Sequence, residues 1–396
     1  MSRFRKINFS SNAGASVIVG GCLLISSTIC KEIVLNPAVE KICTALQIAS
    51  ILIMVYFFIT IRRTMLTKKI QYVIANSIDL QKYTPVVSYR DRKEIIEVKI
   101  KLSGAKNEEK LCNLEEEMQH ALGAYVLRKK IEVGLATYQL AKKSFFRPIT
   151  CEKGTNYENL FHDTTIVLTE HLSWNYAAAP HCIITAGTGG GKSYLGMYIL
   201  KTLCVSKKAE VFVMDPKNSD IARLGRGYNV PVAVQKEEII QSLQEVVDIM
   251  NVRYKDMDSL PIGSDFYSAG LNPIFVIFDE VAAFFATTDK KERELYLAAL
   301  RQIVLKGRQA GCILIVMTQR GDADCLGGGA VRDQFCCRIG LGRLTPDGKS
   351  MVFGEQYRNY PMFLNEPGEG MILIDGEMNN PQPFRAPRLE RSFFII

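Results

Sequence analysis

From about Ile166 onward, short uninterrupted apolar runs alternate with stretches in which apolar positions recur every three or four residues. The runs predict strands at Cys182–Thr185, Glu210–Met214, Ile274–Phe278, Cys312–Met317, Cys336–Leu341 and Met371–Ile374. The amphipathic stretches predict helices at Ser193–Cys204, Glu237–Asp256 and Arg293–Arg308. Strands that are apolar throughout, separated by helices, imply a mainly parallel sheet covered on both faces. Upstream, between Arg62 and about Ile149, the pattern differs. "EIIEVKIKL" (Glu94–Leu102) alternates as a half-buried strand does, and "EEKLCNLEEEMQHAL" (Glu108–Leu122) sets Leu111, Leu114, Met118 and Leu122 at helical spacing, which suits a small α+β module.

The first sixty residues are different again. Asn12–Cys30 and Cys43–Ile61 are each nineteen residues without a charge, close to the ~20 needed to span a bilayer core. A cleaved signal peptide fits poorly, because a second run of equal length follows at once and no small-residue cleavage site stands out. Arg3, Arg5 and Lys6 precede the first run and Arg62, Arg63, Lys68 and Lys69 follow the second, while Lys31 and Lys41 in the connector are offset by Glu32 and Glu40. By the positive-inside bias this is a two-helix transmembrane hairpin in the cytoplasmic (inner) cell membrane, with both termini cytoplasmic. The expected organisation is an anchor over 1–63, the α+β module over 64–150 and an α/β domain over 151–396. The eleven cysteines include no C-x-x-C pair and read as reduced, mostly buried thiols. The net charge of +8 is a mild lean toward an acidic partner such as nucleic acid or anionic lipid.

Candidate chemistry begins at Ile183–Leu195, "IITAGTGGGKSYL". A glycine-rich turn from a parallel strand into a helix exposes backbone N–H groups to phosphate oxygens, and the helix N-terminus adds partial positive charge. Ala186, Gly187, Thr188, Gly189, Gly190, Gly191, Lys192 and Ser193 have Walker A spacing, with alanine at the first position where glycine is commonest. Lys192 would reach the β- and γ-phosphates of ATP, and the Ser193 hydroxyl would ligate Mg²⁺. "PIFVIFDEVAAFF" (Pro273–Phe285) ends a buried strand in Asp279, a second Mg²⁺ residue, and Glu280, suited to orienting the attacking water. The strand after it ends in Thr318-Gln319-Arg320, where Gln319 is either a γ-phosphate sensor or a strand-end cap. Arg308 and Arg338 are candidates for an arginine finger reaching a neighbouring subunit, Arg308 slightly preferred; either could be an ordinary ion-pair partner. Arg128-Lys129-Lys130 could touch phosphates, although a solvated turn is the plainer reading.

The order "PHCIITAGTGGGKS", "VFVMDPKNSD", "VIFDEVAAFF", "LKGRQAGCILIVMTQR" and "CCRIGLG" resembles the FtsK/SpoIIIE family of P-loop DNA translocases over about residues 160–385. The family's usual proline after Thr-Gln-Arg is Gly321 here, and the loop that follows, Gly321–Asp333, is unusually glycine-rich. The resemblance implies a RecA-like ATPase motor that assembles as a homo-hexamer and pulls double-stranded DNA through its centre. Two spans, a short module and one motor resemble the TcpA-like coupling proteins of conjugative elements in Gram-positive bacteria. Such a protein would accept double-stranded or single-stranded DNA and work with a relaxase and conjugation channel proteins. A reduced chromosome-partitioning translocase and a type VII-like protein-export ATPase are the alternatives.

Overall fold

A computed structural model describes residues 5–7, 37–78, 84–104, 108–142, 146–319, 321, 324–360 and 366–394. The chain divides into two compact units, Met1–Lys142 and Lys143–Ile396.

The first unit is built on an antiparallel sheet. Its strands are β1 (Arg5–Lys6), β2 (Val87–Asp91), β3 (Ile95–Lys101), β4 (Tyr125–Glu132) and β5 (Leu135–Ala141), in the order β1-β2-β3-β5-β4. Helix α1 (Pro37–Ser77) is continuous through the boundary expected at 63/64. Its later turns carry Leu66, Ile70, Val73 and Ile74 into a core with Val98, Ile100, Met118, Tyr138 and Leu140, so one face there is apolar at helical spacing. The helix expected over Glu108–Leu122 is broken into α2 (Glu108–Leu111) and α3 (Glu115–Leu122). The cause is Tyr138 on β5: its hydroxyl donates to Leu111 O at 2.6 Å and accepts from Leu114 N at 3.3 Å, which satisfies backbone groups a continuous helix would have paired internally. The Arg128-Lys129-Lys130 cluster lies within β4 rather than in a turn; Lys129 pairs with Glu115 and Lys130 with Glu132.

Of the two expected spans, Asn12–Cys30 lies outside the described residues. Cys43–Ile61 falls inside α1, but the side chains of Cys43, Ser50, Ile53 and residues 57–61 also lie outside them. Among the described residues no helix is long and apolar enough to cross a membrane, so the hairpin is not part of the described architecture.

The second unit holds the eight-stranded sheet. In chain order its elements are β6 (Thr150–Cys151), β7 (Phe161–His162), β8 (Thr165–Thr169), β9 (Leu172–Asn175), β10 (Cys182–Ala186), α4 (Lys192–Ser206), β11 (Glu210–Met214), α5 (Asp220–Gly227), β12 (Val232–Ala233) and α6 (Lys236–Met257). There follow β13 (Ile274–Asp279), α7 (Val281–Thr287), α8 (Lys290–Ala310), β14 (Cys312–Thr318), α9 (Gly329–Arg332), β15 (Cys337–Leu341), α10 (Pro346–Phe353), β16 (Glu369–Ile374), β17 (Gln382–Arg385) and β18 (Arg388–Leu389). The order is β12-β11-β13-β14-β10-β15-β16-β17, parallel as far as β15 and antiparallel beyond it. Every residue of β10, β13 and β14 is buried, as a sheet covered on both faces requires. Leu195, Ile199 and Leu203 of α4 cover one face. Leu243 and Val247 of α6, with Tyr296, Leu300 and Ile303 of α8, cover the other. Gly307 is obligatory in that second layer, because a Cβ there would come within 2.2 Å of Cys312 O.

His181 ties these layers together just before β10. It is fully buried; the Leu314 amide donates to its Nδ1 at 3.1 Å, so the proton sits on Nε2, which donates to Val304 O at 3.1 Å. Burial lowers its pKa to about 4. The neutral ring therefore contributes stability above the unfolded value of about 6.5 that is lost as pH falls toward 4, at up to about 1.4 kcal/mol per pH unit. A His181→Gln variant keeps a donor and an acceptor without titrating. Urea midpoints at about pH 7 and about pH 5 should show a smaller acid loss for the variant than for wild type, with a cost of about 1–3 kcal/mol at neutral pH.

Candidate nucleotide site

In a parallel sheet all strand C-termini point to one edge, and the predicted site residues gather there. The turn between β10 and α4 passes through Gly189 at φ +76° and Gly191 at φ +99°, backbone that side chains rarely adopt. Gly191 is also closely approached: an added Cβ would lie 2.9 Å from both the Cα and the N of Gly368. Gly368 N–H in turn donates to Gly190 O at 3.0 Å, so the segment before β16 braces the loop from outside.

Lys192 begins α4 and is buried, and its ammonium donates to Glu280 Oε2 at 2.7 Å. The same ammonium lies 3.3 Å from Asp279 Oδ1, an atom that is buried and accepts no hydrogen bond. Asp279 ends β13; Glu280 follows it at φ +54°, ψ +54°, a left-handed backbone unusual for a non-glycine residue, immediately before α7. Burial pushes the Asp279 carboxyl above its ordinary range, with Lys192 opposing and Asp215 adding to the rise. Burial would raise Glu280 as well, but the hydrogen bond and charge of Lys192, aided by Lys217, outweigh it and hold that carboxyl low. Gln319, just past β14, comes within 3.5 Å of Glu280 Oε2. Lys192, Asp279, Glu280 and Gln319 thus share one cleft of about 740 Å³ with the Ala186–Ser193 loop.

Lys217 is a member that sequence reasoning left without a role. Asp215, wholly buried, accepts from the backbone of Lys217 and Ser219 and from the Ser219 hydroxyl. That turn carries Lys217 to 3.3 Å from Glu280 Oε2. "DPKNSD" was the available signal, with charge and turn residues directly after a strand. The cleft's far wall, Glu366–Glu369 and Arg385–Leu389, carried no motif at all.

Two expected members lie elsewhere. Arg308 is exposed near the end of α8, at the N-terminal edge of the sheet, and donates to Ala177 O at 3.1 Å. Arg338 on β15 pairs with Asp375. Arg320 is outside the described residues, and the Gly321–Asp333 stretch includes the short helix α9.

Comparison with known proteins agrees with this geometry. The family model for the central domain of helicase HerA matches residues 170–312. The FtsK domain-containing protein YdcQ of Bacillus subtilis (strain 168) is 31% identical over 312 residues, 77% of this chain and 63% of YdcQ. In both comparisons the chain is similar to FtsK/HerA-type P-loop ATPases. DNA translocase FtsK of Streptococcus pyogenes serotype M6 is 24% identical over 253 residues, 55% of this chain and 30% of that protein. The chain spans 63% and 30% of the lengths of these two relatives. Among solved structures, the monomer form of the pCW3 conjugation coupling protein TcpA with ATPγS shares the fold, at TM-score 0.52 and 18% identity over 81% of this chain and 93% of that one.

The close approach of the loop to Gly368 is open to test. Gly191→Ala should lower ATP affinity at least about tenfold and destabilise the fold by roughly 1–3 kcal/mol through clash and strain. Gly187, where an added Cβ meets nothing within 4 Å, is the control, and Gly187→Ala should leave the melting temperature unchanged. Isothermal titration and thermal unfolding of both variants give the comparison.

Proposed function

We propose that this chain is a membrane-anchored, ATP-driven DNA translocase that acts as a coupling protein in conjugative DNA transfer. The observation that carries the motor part is the junction at the sheet's C-terminal edge, where Lys192, Asp279, Glu280 and Gln319 converge on a glycine loop at a helix N-terminus. Loop amides and Lys192 bind the phosphates of ATP. With a triphosphate in the loop, Lys192 has a more highly charged anion to pair with, and Glu280, still contacted by Lys217 and Gln319, stays ionised and orients the attacking water. Gln319 then senses the γ-phosphate through its contact with the same carboxylate. The buried Asp279 oxygen that accepts no hydrogen bond, facing the loop that presents Ser193, fits a divalent cation; Ser193 and Asp279 would hold Mg²⁺, which when bound supplies positive charge to the phosphate oxygens.

The cargo and the assembly rest on the relatives. FtsK is named a DNA translocase and TcpA a conjugation coupling protein, and the net charge of +8 favours a polyanion. Work as a homo-hexameric ring gives Arg308 a role, since at the sheet's opposite edge it can serve only a neighbour's nucleotide. A relaxase and channel proteins are the partners this role requires. The anchor is supported by the two charge-free runs and by the exposed Ile42, Leu46, Ile51, Leu52 and Tyr56 of α1, apolar surface that lipid would cover.

Steady-state hydrolysis tests the motor. Glu280→Gln should bind ATP but lose at least about a hundredfold in turnover, whereas Lys192→Ala should lose binding itself. Wild-type turnover should rise with DNA of any sequence, duplex at least as effective as single strands, and this stimulation should fall steeply with salt. Stimulation by a secreted protein and by neither form of DNA would favour protein export instead.

Fractionation tests the anchor separately. The full chain should pellet with the inner membrane and a chain beginning at Thr64 should not; equal recovery of both in the soluble fraction would remove the anchor.

A further inference from the structure

The cleft continues well beyond the phosphate loop, and its outer half is built by the chain's last residues. From β17 the chain returns along the loop's brace, with Ala386 N–H donating to Gly368 O at 2.7 Å. Arg388 N–H then donates to Ile149 O at 2.8 Å and Glu390 N–H to Cys151 O at 2.9 Å, so β18 runs parallel to β6. Ser392 Oγ accepts from Lys153 N at 2.9 Å. The buried Lys201 of α4 donates to Phe393 O and stands 4.5 Å from the centre of the Phe393 ring. The next residue, Phe394, meets the Tyr194 ring edge-on at 6.0 Å. The strap is thus fixed by main-chain bonds and a buried cation.

We propose that this strap, Ala386–Leu389, together with Pro148 and Tyr194, is the subsite for the base of the bound nucleoside triphosphate. The inference rests on the P-loop reading, which fixes where the phosphates lie. Tyr194 is two residues past Lys192 on the first turn of α4, half exposed, and lines the same cleft as Pro148, Pro387 and Leu389. Those are one aromatic ring and three rigid or aliphatic surfaces, the lining that a flat apolar base face requires, at the end of a cleft whose other end is polar, with the loop amides, the Lys192 ammonium and the carboxylates of Asp279 and Glu280. A volume of about 740 Å³ holds a whole nucleotide rather than a phosphate group alone. The chain's C-terminal segment is then part of the nucleotide site, and its prior fixation lets stacking contribute to affinity without an ordering cost.

The test compares a non-hydrolysable ATP analogue with inorganic triphosphate, by calorimetry on the full chain with Mg²⁺. Wild type should bind the analogue at least about tenfold more tightly than triphosphate, the difference being the base and ribose. Tyr194→Ala should lose most of that difference while its triphosphate affinity stays within about twofold of wild type, and Tyr194→Phe, which keeps the ring, should restore it. Equal wild-type affinity for the two ligands, or a Tyr194→Ala loss that is the same for both, overturns the subsite and leaves the phosphate loop standing. Wild type binding neither ligand overturns the P-loop reading, and the subsite with it.

Discussion

A carboxylate at the end of a buried strand must be met by hydrogen-bond donors or a cation, and for Asp279 and Glu280 that condition falls on Lys192. β13 is apolar and buried along its length, yet it delivers Asp279 and Glu280 side by side. Lys192 lies 2.7 Å from one and 3.3 Å from the other, in a position reached because the glycine turn starts α4 beside β13's end. Removing the lysine would leave Asp279 without a cation and Glu280 with only the exposed Lys217, and unpaired buried charge is among the costliest arrangements in a protein. The brace through Gly368, the buried turn held by Asp215 and the parallel order of the strands all serve to keep this meeting in place.

The two neighbouring carboxylates have been pushed apart in character. Asp279, beside Asp215, resists ionisation; Glu280, equally buried, is held ionised by two lysines. Separation of this kind assigns roles. A carboxyl that is costly to leave charged gains most from a bound cation, which reverses the local balance, whereas one that is already ionised is ready to accept a hydrogen bond from water.

Around this centre the unit is asymmetric. The C-terminal edge of the sheet holds phosphate-facing backbone and charge, while the N-terminal edge holds the neutral His181 bridge and the exposed Arg308. The geometry that carries chemistry and the geometry available to a neighbour are therefore separated by the length of the strands. Rigidity between them comes from layers whose helices are tied to strands by side chains such as His181 rather than by packing alone.

Much of this was legible in the residue pattern because each signal was local. Periodicity located β10, β11, β13 and β14 to within a residue at either end, since a strand buried on both faces must be apolar throughout. Walker A spacing located Lys192 and Ser193, because a phosphate cradle needs those residues at that interval. The signal failed where a distant residue decides. Tyr138 breaks the helix at Leu111–Leu114 from a strand more than twenty positions away, and the short β7, β8 and β9 depend on packing around Trp174 and Tyr176 for a core that no run of their own announces. Lys217 became part of the site only because Asp215 folds the turn beneath it, and Pro387 and Leu389 because the chain's last segment returns to the loop nearly two hundred residues after leaving it. The sequence by itself determined which residues could do chemistry, through charge and spacing. Only the tertiary structure decided which of them meet, because contact between residues far apart in the chain depends on strand order and on the hydrogen bonds that close it.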